Sequence, residues 1–168
     1  FPDNVPGERF WERSGLFNHL HRNKLGITLD LRKPQGVEIF KRLVLLSDVV
    51  VENFTARVMR NFGLAYESLK QIKPDIIMLS NTGFGHTGPW RNYGATATII
   101  EPTSGLHHLT GYVDRPPAKA GQSFTDVMVS WNAAFAIMVA LHNRRRTGKG
   151  QWIDLAMYKV QMAQQAEA

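Results

Sequence analysis

The sequence predicts an α/β fold, a parallel sheet flanked by helices in Rossmann-like fashion, and three observations carry that expectation. Asp48-Val49-Val50-Val51 and Asp75-Ile76-Ile77-Met78-Leu79-Ser80 are short, continuous apolar runs, the pattern of strands buried on both faces. Segments with helical spacing lie before and between them, so strands alternate with helices and βαβ units follow. Polar Glu52-Asn53-Phe54 comes directly after the first run, at a strand's carboxyl end, where open α/β sheets bind ligands.

Taken in order, the first thirty residues show no amphipathic period until Gly26-Ile27-Thr28-Leu29-Asp30-Leu31, which alternates like a short strand that Pro34 and Gly36 break. Val37, Phe40, Lys41, Leu43 and Val44 fit a helix ending near Ser47. After the first buried run, short helical pieces are expected over 58–62 and 66–72, punctuated by Gly63 and closed by Lys73-Pro74. The second run leads into a glycine-rich loop, residues 82–89. Residues 115–125 hold turn formers without a period and read as a surface loop, whereas 127–141 are apolar except for Ser130 and Asn132 and read as a helix. Trp131, Phe135 and Met138 share one face of it and are expected in the core. Gly148 suits a C-cap, Gln151-Trp152-Ile153-Asp154-Leu155-Ala156 alternates like a strand, and residues 157–168 begin another helix.

Asp126 stands where the loop meets the long helix. As an N-cap or first-turn residue it faces unpaired backbone N–H groups and the positive end of the helix dipole, which favour an ionised carboxylate. Such a group can attack an activated acyl carbon and form an anhydride. Aspartate is also a common helix cap, so spacing alone leaves both roles open.

Composition narrows the classes. With 43% hydrophobic and 10% aromatic residues the chain is no disordered tail, and its length allows one domain with a core. Zero cysteines exclude disulfides and cysteine-based zinc sites. No H-E-x-x-H or similar spacing appears among the six histidines, so no metal is expected. The apolar run at 127–141 is too short for a membrane span, the charged N-terminal residues give no expectation of a secretory leader, and the cytoplasm is the expected compartment. Twenty Lys and Arg against fourteen Asp and Glu leave a net charge of +6, which suits a polyanionic partner. Only Arg144-Arg145-Arg146 is a tight basic run. It falls at a helix end, where cations suit the dipole, and no nucleic-acid signature accompanies it.

Gly83-Phe84-Gly85-His86-Thr87-Gly88 satisfies G-x-G-x-x-G, yet Pro89-Trp90-Arg91-Asn92-Tyr93-Gly94 continues as loop where a dinucleotide fingerprint needs a helix. The glycines are expected to let backbone pass close to a neighbour. Gly148-Lys149-Gly150 lacks the spacing of a phosphate-binding P-loop and reads as a tight turn.

An ordered set of segments resembles the family III CoA-transferases, the CaiB/BaiF and formyl-CoA transferase group. These are residues 23–31, 48–54, Gly63-Leu64, 83–89, Ser104-Gly105-Leu106, Pro116-Pro117, Asp126 and 146–151. The resemblance implies that Asp126 is the catalytic aspartate, passing through a mixed anhydride and an aspartyl-CoA thioester as CoA moves between carboxylic acids. It implies CoA contacts at Leu29, Asp30, Leu31 and Arg32, at Asn53, Phe54 and Thr55, and near residues 94–97. Arg32 would pair with phosphate, and Asn53 would position the thioester or its oxyanion. Where some members carry Arg just before the Gly-Leu pair, this chain has Arg60-Asn61-Phe62, which moves that contact to Arg60. Ser130 replaces a frequent glycine. The family's 2-methylacyl-CoA racemases carry Gly-His-Asp where this chain has Ala95-Thr96-Ala97, so transfer is expected ahead of racemisation. Family members form interlocked homodimers. The resemblance makes residues 1–168 part of the large CoA-binding and catalytic domain, with a first strand and helix and a smaller second domain lying outside it. The competing classes are a CoA-binding or dimerising fragment without catalysis and a basic nucleic-acid binder.

Overall fold

The computed structural model describes residues 2–121 and 124–165. Gln122 and Ser123 of the expected loop, and residues 166–168 of the expected last helix, lie outside them. The expected parallel sheet is observed: β1 (Val49–Glu52), β2 (Ile77–Thr82) and β3 (Gln151–Ala156) run parallel in the order β1-β2-β3. Val49 pairs with Ile77, and Ile77 in turn with Gln151.

Before the sheet come α1 (Gly15–Leu20), whose first turn Ser14 caps through the Phe17 amide, and α2 (Pro34–Leu46). The crossover from β1 to β2 carries α3 (Val58–Asn61) and α4 (Tyr66–Ile72). The crossover from β2 to β3 carries α5 (Ala97–Thr103), α6 (Leu106–Leu109) and the long α7 (Phe124–Thr147), and α8 (Met157–Ala163) follows β3. Gly148, at φ +70°, ends α7 in the left-handed region that a Cβ disfavours.

β2 is central because its residues are apolar on both faces. Met78 joins Val44, Val50, Met59, Leu64, Leu69 and Ile76 in a core beneath α2, α3 and α4. Alternation turns Ile77 and Leu79, both fully buried, to the opposite face, where α7 lies on β2 and β3. Each such side chain contributes about 1.5–3 kcal/mol by leaving water. A second cluster, Ile100, Val129 and Met157 with Phe84 and Ala95, joins α5, the start of α7 and α8 to the glycine-rich loop.

Four expectations are corrected. Residues 26–31 are not a strand: no strand among the described residues pairs with them, and Leu25 and Ile27 stand exposed while Leu31 leans on the first core. Pro34 and Gly36 do not break an element but open α2, Pro34 at its N-terminus, where a missing N–H costs nothing. A Cβ on the buried Gly36 would stand 2.1 Å from the Asp30 carbonyl oxygen, so glycine here lets α2 press on the 30–32 turn. Trp131, Phe135 and Met138 are 71%, 71% and 68% exposed, because no described element covers that face of α7. Finally, α7 outruns the apolar stretch at both ends. Its 24 residues contain an 18-residue window of mean hydropathy 1.6, of which 17% is buried, so length and composition alone would permit a membrane crossing.

Candidate active site

Of the singled-out residues, Asn53, Phe54 and Thr55 stand at the carboxyl end of β1, and Leu31 lines a hollow beside them. The buried Glu52 carboxylate accepts the Phe54 amide at 2.8 Å, which turns the chain sharply as β1 ends. Asn53 then reaches across to donate its Nδ2 to the Asn81 carbonyl at the end of β2. The glycine-rich loop is tied down beside them. Thr82 Oγ1 accepts the Gly85 amide at 2.8 Å, Asp154 accepts the His86 amide at 3.0 Å and meets His86 Nδ1 at 3.1 Å, and Gly83 gives its carbonyl to the Tyr158 amide. A Cβ on Gly83 would lie 2.3 Å from that of Ala95, the close backbone passage expected of this loop. No helix opens before Ala97, so the loop lacks the helix N-terminus a dinucleotide site needs.

Three hollows adjoin. An open groove of about 600 Å³ carries Arg32, Lys33 and Lys41 along α2, with Asn61 opposite and Leu31 at its edge. Leu31 also lines the next, about 270 Å³, together with Phe40, Glu52, Asn53 and Phe54. Asn53 and Phe54 in turn line a small cavity of about 60 Å³ with Thr55, Asn81, Arg91 and Tyr93. The side-chain oxygen of Asn81 is buried there and meets no hydrogen-bond donor.

The cationic end is partly self-paired. Asp30 accepts the Arg32 guanidinium at 3.0 and 3.2 Å and the Arg32 amide at 3.0 Å, and these bonds hold the Asp30 carboxyl below the usual carboxylate range. Both groups remain exposed, so this pair itself contributes little. Leu29 is half-buried just before this turn. Arg60 lines a further hollow of about 100 Å³ with Tyr66, Glu67, His86 and Trp152, which meets the others at Ala56 and Met59. Of the 94–97 segment, Ala95 alone lines the small cavity.

Asp126 sits in the first turn of α7 and is exposed, as a first-turn nucleophile or cap requires. One turn on, Val129 is buried against Ile100 and Met157, and Met157 is also a wall of the small cavity. Val129, one turn beyond Asp126, thus shares a packed cluster with a wall of the cavity at the strand ends, while Asp126 itself lines none of the three hollows. Among the described residues, no group of three or more His, Asp or Glu forms a metal cage.

The model of CoA-transferase family III matches residues 4–168. The chain belongs to this family. The family III chain is 42% identical over 140 residues to succinyl-CoA–D-citramalate CoA-transferase of Chloroflexus aurantiacus, covering 83% of this chain and 35% of that protein. It is 37% identical over 163 residues to succinate–glutarate CoA-transferase of Agrobacterium fabrum, covering 97% and 40%. Among solved structures, a CaiB/BaiF family protein from Brucella suis superposes with a TM-score of 0.82 at 43% identity, over 85% of this chain and 38% of that one. This family III chain thus spans between about a third and two fifths of the length of these relatives.

Sequence reasoning passed over Glu101, Thr125, Asp154 and Gln161. Asp154 carried a signal, since it shares strand parity with Trp152 and Ala156 and so puts a carboxylate on an otherwise apolar face. Glu101 carried almost none, because Pro102 and Gly105 obscured the helices around it.

Proposed function

We propose that this chain is the CoA-binding and nucleophile-bearing part of the large domain of a CoA-transferase, which exchanges CoA between carboxylic acids and works as a homodimer. The observation that carries the proposal is the continuity of the three hollows. They lead from a basic groove, past apolar Leu31 and Phe54, to a small polar cavity at the strand ends. CoA has the same order of chemistry: anionic phosphates, then a pantetheine arm, then the thioester. Arg32 meets phosphate, with Lys33 and Lys41 adding charge to the same groove. Leu29, Asp30 and Leu31 supply the turn that aims Arg32. Asn53, Phe54 and Thr55 flank the thioester end, where an Asn53 N–H stabilises the developing oxyanion. Arg60, in the adjoining hollow behind Ala56 and Met59, is assigned a contact with an outlying part of the ligand.

A carboxylate oxygen of Asp126 attacks the thioester carbonyl and expels CoA as thiolate, leaving a mixed anhydride. The thiolate attacks the aspartyl carbonyl, releases the donor acid and leaves an aspartyl-CoA thioester. The acceptor carboxylate displaces the thiolate to form a second anhydride, and the thiolate then takes the acceptor acyl group and frees Asp126. Every bond made is matched by one broken, and no metal, redox partner or net proton is needed. Racemisation is disfavoured because Ala95 and Ala97 carry no base and the Thr96 hydroxyl is paired with that of Thr98 at 2.7 Å.

One of these relatives is named for succinyl-CoA and D-citramalate and the other for succinate and glutarate, so a mono-CoA ester of a dicarboxylic acid is the substrate class to test first. Full-length protein incubated with succinyl-CoA and hydroxylamine is expected to yield a hydroxamate at Asp126, or cleavage there. A protein that binds CoA but gives neither product is a binder and not a transferase. Arg32→Ala is expected to weaken CoA about 10-fold, in keeping with one lost charge-assisted phosphate pair, and to flatten the salt dependence measured by calorimetry. Duplex or single-stranded nucleic acid binding that falls steeply with salt would favour the competing basic-binder reading.

A further inference from the structure

The first turn of α7 is gripped from outside the helix. Thr125 is fully buried, and its backbone N–H and hydroxyl each lie 3.4 Å from Oε1 of Glu101, itself fully buried in α5. The other carboxylate oxygen of Glu101 is 3.2 Å from His107 Nε2 on α6, whose side chain is 24% exposed. The Thr125 hydroxyl also faces Oε1 of buried Gln161 on α8 at 3.1 Å. One hydroxyl proton cannot serve two acceptors. With the Gln161 amide turned over, its NH2 donates to the hydroxyl and the hydroxyl proton passes to Glu101, which satisfies both contacts.

First-turn amides have no acceptor within their own helix, so Glu101 acts as a cap supplied by a different element, and its charge suits the positive end of the helix. A carboxylate sealed from water is costly unless paired and hydrogen-bonded, and His107 and Thr125 meet that need. This arrangement stands one residue from the group that the proposed chemistry requires. Glu101 of α5 and Gln161 of α8 thus meet at the residue before Asp126, and His107 of α6 braces Glu101 from its other oxygen.

We propose that Glu101 is a positioning residue: by pinning the Thr125 amide it fixes where the Asp126 carboxylate points. The inference rests on Asp126 being the nucleophile. A misplacement of about 1 Å at a reacting group costs on the order of 10²-fold in rate. Loss of Glu101 therefore appears in the chemical step, while CoA affinity, set at the ends of β1 and β2, is spared.

The test uses the full-length protein with Glu101→Ala and Glu101→Gln, succinyl-CoA as donor and hydroxylamine as trap. Glu101→Ala is expected to slow adduct formation at Asp126 about 30- to 100-fold and to lower kcat with KM for succinyl-CoA changed less than about 3-fold. Glu101→Gln, whose amide oxygen still accepts the Thr125 N–H, is expected to recover most of the rate. Hydrogen exchange is expected to quicken at the amides of 125–128 in Glu101→Ala and to stay unchanged beyond residue 135. Should Glu101→Ala not fold, Glu101→Asp takes its place, with the same charge withdrawn by one methylene and an expected loss of about 10-fold.

A wild-type rate in Glu101→Ala overturns the proposal. So does an equal loss in the alanine and glutamine variants accompanied by faster exchange along all of α7, which marks a merely structural residue. Wild-type protein that forms no adduct overturns the nucleophile reading itself, and this role with it, a result that the comparison among variants cannot mimic.

Discussion

Replacing Asp126 with asparagine in the full-length protein is expected to lower CoA transfer by at least about 10³-fold and to abolish the hydroxylamine-trapped adduct, with CoA affinity nearly unchanged. The asparagine is the same size and keeps a side-chain oxygen in the first turn of α7, so whatever that oxygen contributes to the helix end survives the change. What it loses is the charged oxygen that attacks the thioester. Asp126→Ala removes both roles, and the two variants together separate them. If Asp126 only caps the helix, the asparagine variant keeps its activity and the alanine variant loses stability and CoA binding in parallel. Because the side chain is exposed and Thr125 beneath it is held by Glu101, even the alanine variant is expected to fold. Steady-state rates, calorimetric CoA titration and a thermal melt on each variant check the prediction.

The other large expected effect is at the far end of the same helix. Arg144 donates to the Asp48 carbonyl at 3.2 Å and the Asp75 carbonyl at 3.4 Å, and pairs with the Asp48 carboxylate at 2.7 Å. It thereby clamps the last turns of α7 to the segments that enter β1 and β2. Its side chain is 16% exposed, so Arg144→Ala takes a part-buried charged donor from the Asp75 carbonyl and one of two donors from the Asp48 carbonyl, which keeps the Ile77 amide, and is expected to cost about 2 kcal/mol in a denaturant titration. The exposed carboxylate contributes less. The guanidinium holds Asp48 below the usual carboxylate range, so the charged part of the clamp is complete above the ordinary carboxyl titration and is lost as pH falls through the lowered value. The gap between wild type and Arg144→Ala should accordingly narrow below about pH 4. A gap that persists unchanged at low pH would assign the whole effect to the carbonyl bonds.

Where local pattern and burial agree, the sequence could be read almost to the residue. The helix at 66–72 and the strand at 151–156 coincide with α4 and β3, and β1 and β2 lie within two residues of their apolar runs. Misreadings arose where the deciding partner is distant in the chain. Ile27 and Leu29 alternate as strand residues do, but a strand needs a neighbour, and none of the described strands lies alongside. Trp131, Phe135 and Met138 form an apolar stripe that no described element covers, so periodicity alone could not say what they face. The places of Asn53 and Phe54 after a strand and of Asp126 in a helix's first turn were legible because strand ends and helix starts are marked in sequence. Glu101 was not, since its partner Thr125 lies in another helix and its importance comes only from that meeting.

The central place of β2 has a consequence for how the chain is made. Roughly seventy residues separate the end of β2 from the start of β3, about 4 to 14 seconds of ribosomal synthesis at common rates. Until α7 is made in the last third of that interval Ile77 and Leu79 wait without a helix above them, and to its end they lack a strand on one flank, so such a nascent chain is a natural client for a chaperone that shelters bare hydrophobic backbone.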